Sequence, residues 1–246
     1  MKPILTLLFG ILLTSTLYGK VPEAKLKISH LTGDFYVFTT YRMLDGNPFP
    51  ANGMYVITND GAIMIDSPWD TTQFQPLQDS IESKHNVKVI MCVATHSHND
   101  RTAGLEFYRH QGIKTYTSLQ TDSISREKNE KLAEFHFEND TTFTIGQYSF
   151  QTVFAGGGHT SDNIVIWFAH EKILYGGCLI KSTDSPVLGN LADAKVRAWA
   201  STIKTIQTKC EKPNYIIPGH QGWKNKKSLE HTLKLVEDFK SKNMSK

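Results

Sequence analysis

Four short stretches of this sequence carry side chains that bind divalent metals. The first, Thr95-His96-Ser97-His98-Asn99-Asp100-Arg101, directly follows the apolar run Val87–Ala94. His96, His98 and Asp100 stand at alternate positions, so an extended chain would project all three to one side. Imidazole nitrogen and carboxylate oxygen are proper donors to a borderline-soft cation such as zinc. Gly156-Gly157-Gly158-His159-Thr160 presents a further histidine after a strand-like run, with glycines that let the backbone approach a ligand closely. Tyr175-Gly176-Gly177-Cys178 delivers a thiol in the same way, and Ile216-Ile217-Pro218-Gly219-His220 ends an apolar run on a histidine. A lone His-x-His is often a surface pair, and a lone histidine a cap or a core residue. Four junctions that together deliver six donors are not explained that way. Six donors exceed one tetrahedral site but suit two adjacent ions that share a bridging hydroxide and keep positions open for substrate. Three histidines would hold one ion, and an Asp–Cys–His set the other. The remaining histidines (His30, His85, His110, His136, His170 and His231) stand outside these junctions and receive no function.

Junctions of this kind need strands behind them. The first half reads as strands at Phe35–Tyr41, Gly53–Thr58 and Ala62–Ile65, joined by the turn signals Asp45-Gly46-Asn47-Pro48 and Asn59-Asp60-Gly61. A helix over Thr71–Lys84 follows, with Phe74, Leu77 and Ile81 on one face, then the strand Val87–Ala94. A helix near Ala103–Gln111, the strand Ile113–Thr117 and a helix near Gln120–Lys128 complete this half. The second half repeats the theme. It offers strands at Phe143–Ile145, Tyr148–Ala155, Ile164–Phe168 and Lys172–Tyr175, the helix Lys195–Thr208, the strand Tyr215–Ile217 and a helix near Lys227–Lys240. Two sheets packed face to face with helices outside accommodate that order.

The chain has 246 residues, 39% hydrophobic and 21% charged, a composition and length suited to a globular protein with a core large enough to need no disulfides. No linker divides it. Its net charge of +3 is mild, and the densest basic cluster, Lys224, Lys226 and Lys227, reads as a solvated helix start, so no nucleic-acid partner is expected. Lys2, the apolar run Ile4–Leu13 and the small polar run Thr14-Ser15-Thr16 read as a signal peptide over residues 1–19, too short for a permanent membrane helix. Its removal takes away only Lys2, so +3 becomes +2. A periplasmic protein without membrane attachment, acting as a monomer, is the expectation. Three cysteines leave at least one unpaired: Cys92 lies in an apolar run, Cys210 closes a helix, and Cys178 is accounted for as a thiolate ligand.

These residues resemble the metallo-β-lactamases, specifically the broad-spectrum di-zinc subclass with a cysteine ligand. The family's His-x-His-x-Asp-Arg signature stands as His96–Arg101, its Gly-His-Thr as Gly158-His159-Thr160, its Gly-Gly-Cys as Gly176-Gly177-Cys178 and its Gly-His as Gly219-His220. The resemblance runs from about Ile28 to the last helix and is similar to the flavobacterial type in Ile65–Trp69 and Cys178–Ser182. It implies an α/β fold, the four-layer αβ/βα sandwich, over residues 20–246, with halves at about 20–142 and 143–246. It implies that His96, His98 and His159 hold a first zinc, and Asp100, Cys178 and His220 a second. It further implies that Lys181 receives the substrate carboxylate, that Asn190 polarises the lactam carbonyl, and that Asp100 belongs to the catalytic set. Met43–Pro50 would form a mobile hairpin over the substrate, Trp69 part of an apolar wall, and Asp66 a support behind the ligands. Lys181 also reads as a solvated lysine, and Asn190 as a turn former. One departure is Ala103-Gly104, where the family commonly has Gly-Gly.

The expected reaction is zinc-dependent opening of small-molecule β-lactams without a covalent intermediate. Two other readings compete. Thioesterases, lactonases and RNA-processing nucleases of the same superfamily resemble His-x-His-x-Asp-His, but here Arg101 replaces the last histidine and stays protonated. A non-catalytic exported zinc-binding protein would need neither Lys181 nor an open coordination position.

Overall fold

Asp45 and Gly46 both take positive φ, 48° and 78°, the two-residue turn geometry that matches strand twist. It closes a long hairpin between β2 (Phe35–Leu44) and β3 (Asn47–Thr58). The computed structural model describes residues 26–138 and 140–243. The hairpin belongs to a seven-stranded sheet in chain order with β1 (Lys27–Thr32), β4 (Gly61–Ile65), β5 (Val89–Val93), β6 (Lys114–Ser118) and β7 (Phe135–Phe137). Strands β4 to β7 run parallel, which requires a crossover between each pair. Helix α1 (Phe74–His85) supplies the first, α2 (Asn99–Thr102) with α3 (Leu105–His110) the second, and α4 (Leu119–Glu127) the third. The second sheet runs β12 (Tyr215–Pro218), β11 (Ile173–Gly177), β10 (Val165–Phe168), β9 (Tyr148–Val153), β8 (Thr142–Ile145). Its one parallel pair, β11 with β12, is bridged by α5 (Val196–Lys209), and α6 (Ser228–Asn243) follows.

Period-two alternation sets the layers. In β4, wholly buried, Ile63 and Ile65 face the other sheet, while Ala62 and Met64 face α1. Phe74, Leu77 and Ile81 of α1 complete that outer layer, and Asn86, left-handed at φ 53°, ends the helix. Phe150, Ile166, Phe168 and Ile173 close the layer between the sheets. Trp199, Ile203 and Ile206 of α5 cover the far face with Leu229 and Val236 of α6. Burying each such side chain contributes about 1.5–3 kcal/mol. The order is helices, sheet, sheet, helices: the four-layer sandwich.

Several expectations shift in detail. β1 and β7 are edge strands that the sequence reading did not place. Thr71–Gln73 is a 3-10 turn capped by Asp70 rather than the first turn of α1. The helix expected at Ala103–Gln111 is preceded by α2 and begins at Leu105. Gly104 is the position that must be glycine: a Cβ there would lie 2.8 Å from both Ser67 and Tyr108 carbons. Ala103 packs into the layer beneath α1 and α3, so the departure from Gly-Gly is accommodated. No helix among the described residues is long and apolar enough to cross a membrane. The leader expected at residues 1–19 lies outside the described residues.

Candidate metal centre

The chain leaves β5 and is fixed at once: the Thr95 N–H and hydroxyl both donate to Asp66, at 2.8 and 3.0 Å. Two residues on, the Ser97 N–H donates to Asp162 at 2.8 Å. The stretch is extended through His98 (φ −72°, ψ 148°) and then turns into α2. Asp100 therefore does not reach the site by alternation, as an extended chain would require. It arrives by the first turn of helix, with Oδ1 3.9 Å from His96 Nε2. Gly156–Gly158 form a loop tied by Asn163, which donates to the Gly156 carbonyl and accepts from the Thr160 N–H, both at 2.9 Å. That loop places His159.

The six donors expected from the sequence come together in two sets. The rings of His96, His98 and His159 lie 4.9 to 5.0 Å apart, nearly perpendicular to one another. His98 Nδ1 is 3.1 Å from His159 Nε2, and the buried His96 Nε2 has no hydrogen-bond partner. In the second set, His220 Nε2 is 3.0 Å from Asp100 Oδ2 and 3.2 Å from Cys178 Sγ. Cys178 Sγ is 3.4 Å from Asp100 Oδ2. Such a gathering points more lone pairs than hydrogens at one small volume, which fits metal binding. Burial holds the imidazoles of His96 and His159 well below the ordinary histidine value and lowers His220, so all three are neutral donors. Burial acts to raise Asp100, but the Arg101 guanidinium together with His220 and His96 outweighs it and holds the carboxyl well below the usual range. Burial pushes the Cys178 thiol up, and a bound cation would reverse that shift.

Arg101 is fully buried and organises the second set. It donates to Asp100 at 2.9 Å, to the carbonyls of Gly219 (2.9 Å) and Asn52 (2.7 Å), and to Asp66 at 3.4 Å. Gly219 is confined as tightly: an added Cβ would meet Gly177 C and Cys178 N at 2.7 Å. Asp193 was not foreseen. Its Oδ2 lies 2.8 Å from His98 Nε2 and its Oδ1 2.5 Å from Lys128. By accepting the Nε2 proton it leaves the His98 Nδ1 lone pair free toward the other rings. No local sequence signal marks it.

A cleft of 440 Å³ opens over the donors. Lys181, 9% exposed, lines it, and burial pulls its amine below the usual lysine value. Trp69 lines it too, its ring 6.3 Å from that of His220 and covered by the Arg42 guanidinium at 4.9 Å. Asn190 is exposed at the rim, and its Oδ1 accepts from the Ala192 N–H at 3.0 Å. The turn-forming role is present, with the amide Nδ2 left as a donor.

Fold and donor sets define a metal-dependent hydrolase scaffold, and residues 46–220 match the Metallo-beta-lactamase superfamily. The chain belongs to that family. It is 40% identical over 242 residues to a metallo-beta-lactamase type 2 of Elizabethkingia meningoseptica, covering 98% of this chain and 96% of that one. It is 36% identical to metallo-beta-lactamase IND-1 of Chryseobacterium indologenes, covering 84% and 86%. Among solved structures, a metallo-beta-lactamase from Pontibacter korlensis matches with a TM-score of 0.84 and 34% identity, over 87% of this chain and all of that one.

Proposed function

We propose that this protein is an exported, periplasmic β-lactamase that opens penicillins, cephalosporins and carbapenems with two zinc ions. The observation that carries the reading is the convergence of His96, His98, His159, Asp100, Cys178 and His220 beneath a cleft lined by the lysine Lys181. His96, His98 and His159 would hold one ion, and Asp100, Cys178 and His220 the other. Zinc, when bound, supplies an activated water and a Lewis acid for the lactam carbonyl. Asp100 Oδ1, the oxygen not bound to Arg101, orients the attacking water and takes up its hydrogen bond. Lys181 binds the substrate carboxylate and sets the ring over the donors. The Asn190 amide donates to the oxygen on which charge develops. Trp69 forms an apolar wall that keeps bulk water from the ring. Arg101 argues against a thioesterase or nuclease with a further histidine ligand, because its guanidinium is buried among four acceptors.

The test is hydrolysis of a chromogenic cephalosporin, abolished by a chelator and restored by zinc, with metal content measured alongside. Cys178→Ala is expected to reduce zinc from two ions per chain to one. Absence of turnover in the zinc-loaded protein overturns the reading.

A further inference from the structure

Glu130 lies in the segment after α4, held by its own N–H, which donates to the Ser125 carbonyl at 2.8 Å. One carboxylate oxygen accepts from Asn99 Nδ2 at 3.2 Å, beside the loop that carries His98 and Asp100. Glu130 lines the same cleft as Lys181. The cations near it in sequence are already engaged: Lys128 with Asp193 at 2.5 Å, and Lys131 with Glu106 at 2.7 Å. Arg42 spends its guanidinium on Asn99 Oδ1, at 3.3 Å, and on the face of Trp69. Among the described residues no cation comes within ion-pair distance of Glu130. The cleft thus presents one unmatched acid, supplied from the first sheet's side, and one lysine, supplied from the second.

A ligand that meets both must itself carry both charges. We infer that Glu130 is a specificity-determining residue that favours β-lactams whose side chain bears an ammonium group. The inference rests on the β-lactamase reading of the site. Lys181 takes the ring carboxylate, and Glu130, with one oxygen uncommitted, receives the ammonium as a charge-assisted hydrogen bond. Asn99 fixes the carboxylate without neutralising it.

Ampicillin and benzylpenicillin differ by one amine and make the test. For the zinc-loaded enzyme and the Glu130→Gln variant, kcat/KM is measured on both, in a buffer where the amine is largely protonated. The ratio of ampicillin to benzylpenicillin is expected to fall about two- to fivefold in Glu130→Gln, the effect of one solvent-facing ion pair, carried by KM. It should fall further in Glu130→Lys, and the preference of the unaltered enzyme should weaken as salt screens the pair. A merely structural role for Glu130 would lower both substrates alike. A ratio that does not move in either variant overturns the inference while leaving the β-lactamase reading intact. Turnover of neither penicillin by the unaltered enzyme removes that reading and the inference together.

Discussion

The Tyr175 hydroxyl lies 2.7 Å from Asp66 Oδ2, so a phenol of the second sheet is joined to a carboxylate of the first. Asp66 follows β4 with a left-handed φ of 62° and also receives Thr95 and Arg101. Asp66→Ala would leave the Thr95 donors without their acceptor and take a carboxylate from beside the buried Arg101 guanidinium. We expect a loss of about 3–5 kcal/mol, as for one member of a buried charged pair. Denaturant unfolding of the zinc-loaded protein measures it, and a loss under 1 kcal/mol would contradict the role.

Asp193 is half exposed, yet it fixes which nitrogen of His98 is free. Asp193→Ala should weaken zinc binding by about tenfold, the low end for the partner of a ligating histidine. Competition with a chromophoric chelator reads the affinity directly. Unchanged affinity would mean that the His98 ring is held by its neighbours alone.

For Lys181→Ala, kcat/KM is expected to fall about tenfold, the equivalent of one charge-assisted contact. The change should appear mainly in KM, because on the proposed reading the amine binds the substrate throughout the reaction. Steady-state kinetics on a single cephalosporin separate this from a fall confined to kcat.

Gly219→Ala places a methyl against the backbone of Gly177 and Cys178. Backbone cannot rotate away as a side chain can, so Cys178 and His220 must separate. Stability should drop by about 1–3 kcal/mol, as overpacking does, and zinc content should fall together with it. Metal analysis and thermal melting of one preparation test both.

The metal-free protein should lose stability in mild acid. Burial keeps His96 and His159 neutral in the folded chain, well below the ordinary value of about 6.5. The unfolded chain therefore takes up protons first as pH falls through 6.5. Stability is present above that value and lost below it, by about 1.4 kcal/mol per pH unit for each histidine. Asp66, pushed up to about 6 by burial against the opposing pull of Arg101, acts in the other direction between about 3.9 and 6. The net loss therefore continues below pH 6, where the two histidines outweigh the one carboxylate. Melting curves in chelator from pH 8 to 5 would reveal it, and a flat profile would refute it.

Where the sequence alone was sufficient, the signal was local. Ile63, Ile65, Ile166 and Phe168 sit in short apolar runs that read directly as strands, and the six donors each follow such a run. The turn at Asp45-Gly46 announces its hairpin in the same way. β7 was missed because Phe135-His136-Phe137 is too short to show a period and gains its order from β6. β1 was missed because its residues are mostly half-buried along a sheet edge, without clean alternation. Asp193 stands 95 residues from His98, in a segment without regular structure, so only the folded chain pairs them. Arg101 reads from its chemistry as a residue that does not bind metal, but its links to Asn52 and Gly219 depend on how the two sheets meet.

The long hairpin of β2 and β3 ends in Met43 and Leu44, both exposed, while its base is tied by Asn52 to the Pro218 and Gly219 region. Between tip and base, Phe49 and Pro50 bear on His220, the Pro50 carbonyl 2.8 Å from its Nδ1. On the proposed reading, changes at the exposed Met43 and Leu44 would alter which substrates are accepted more than they alter the donors beneath. Selection would then act on substrate range and on reactivity separately.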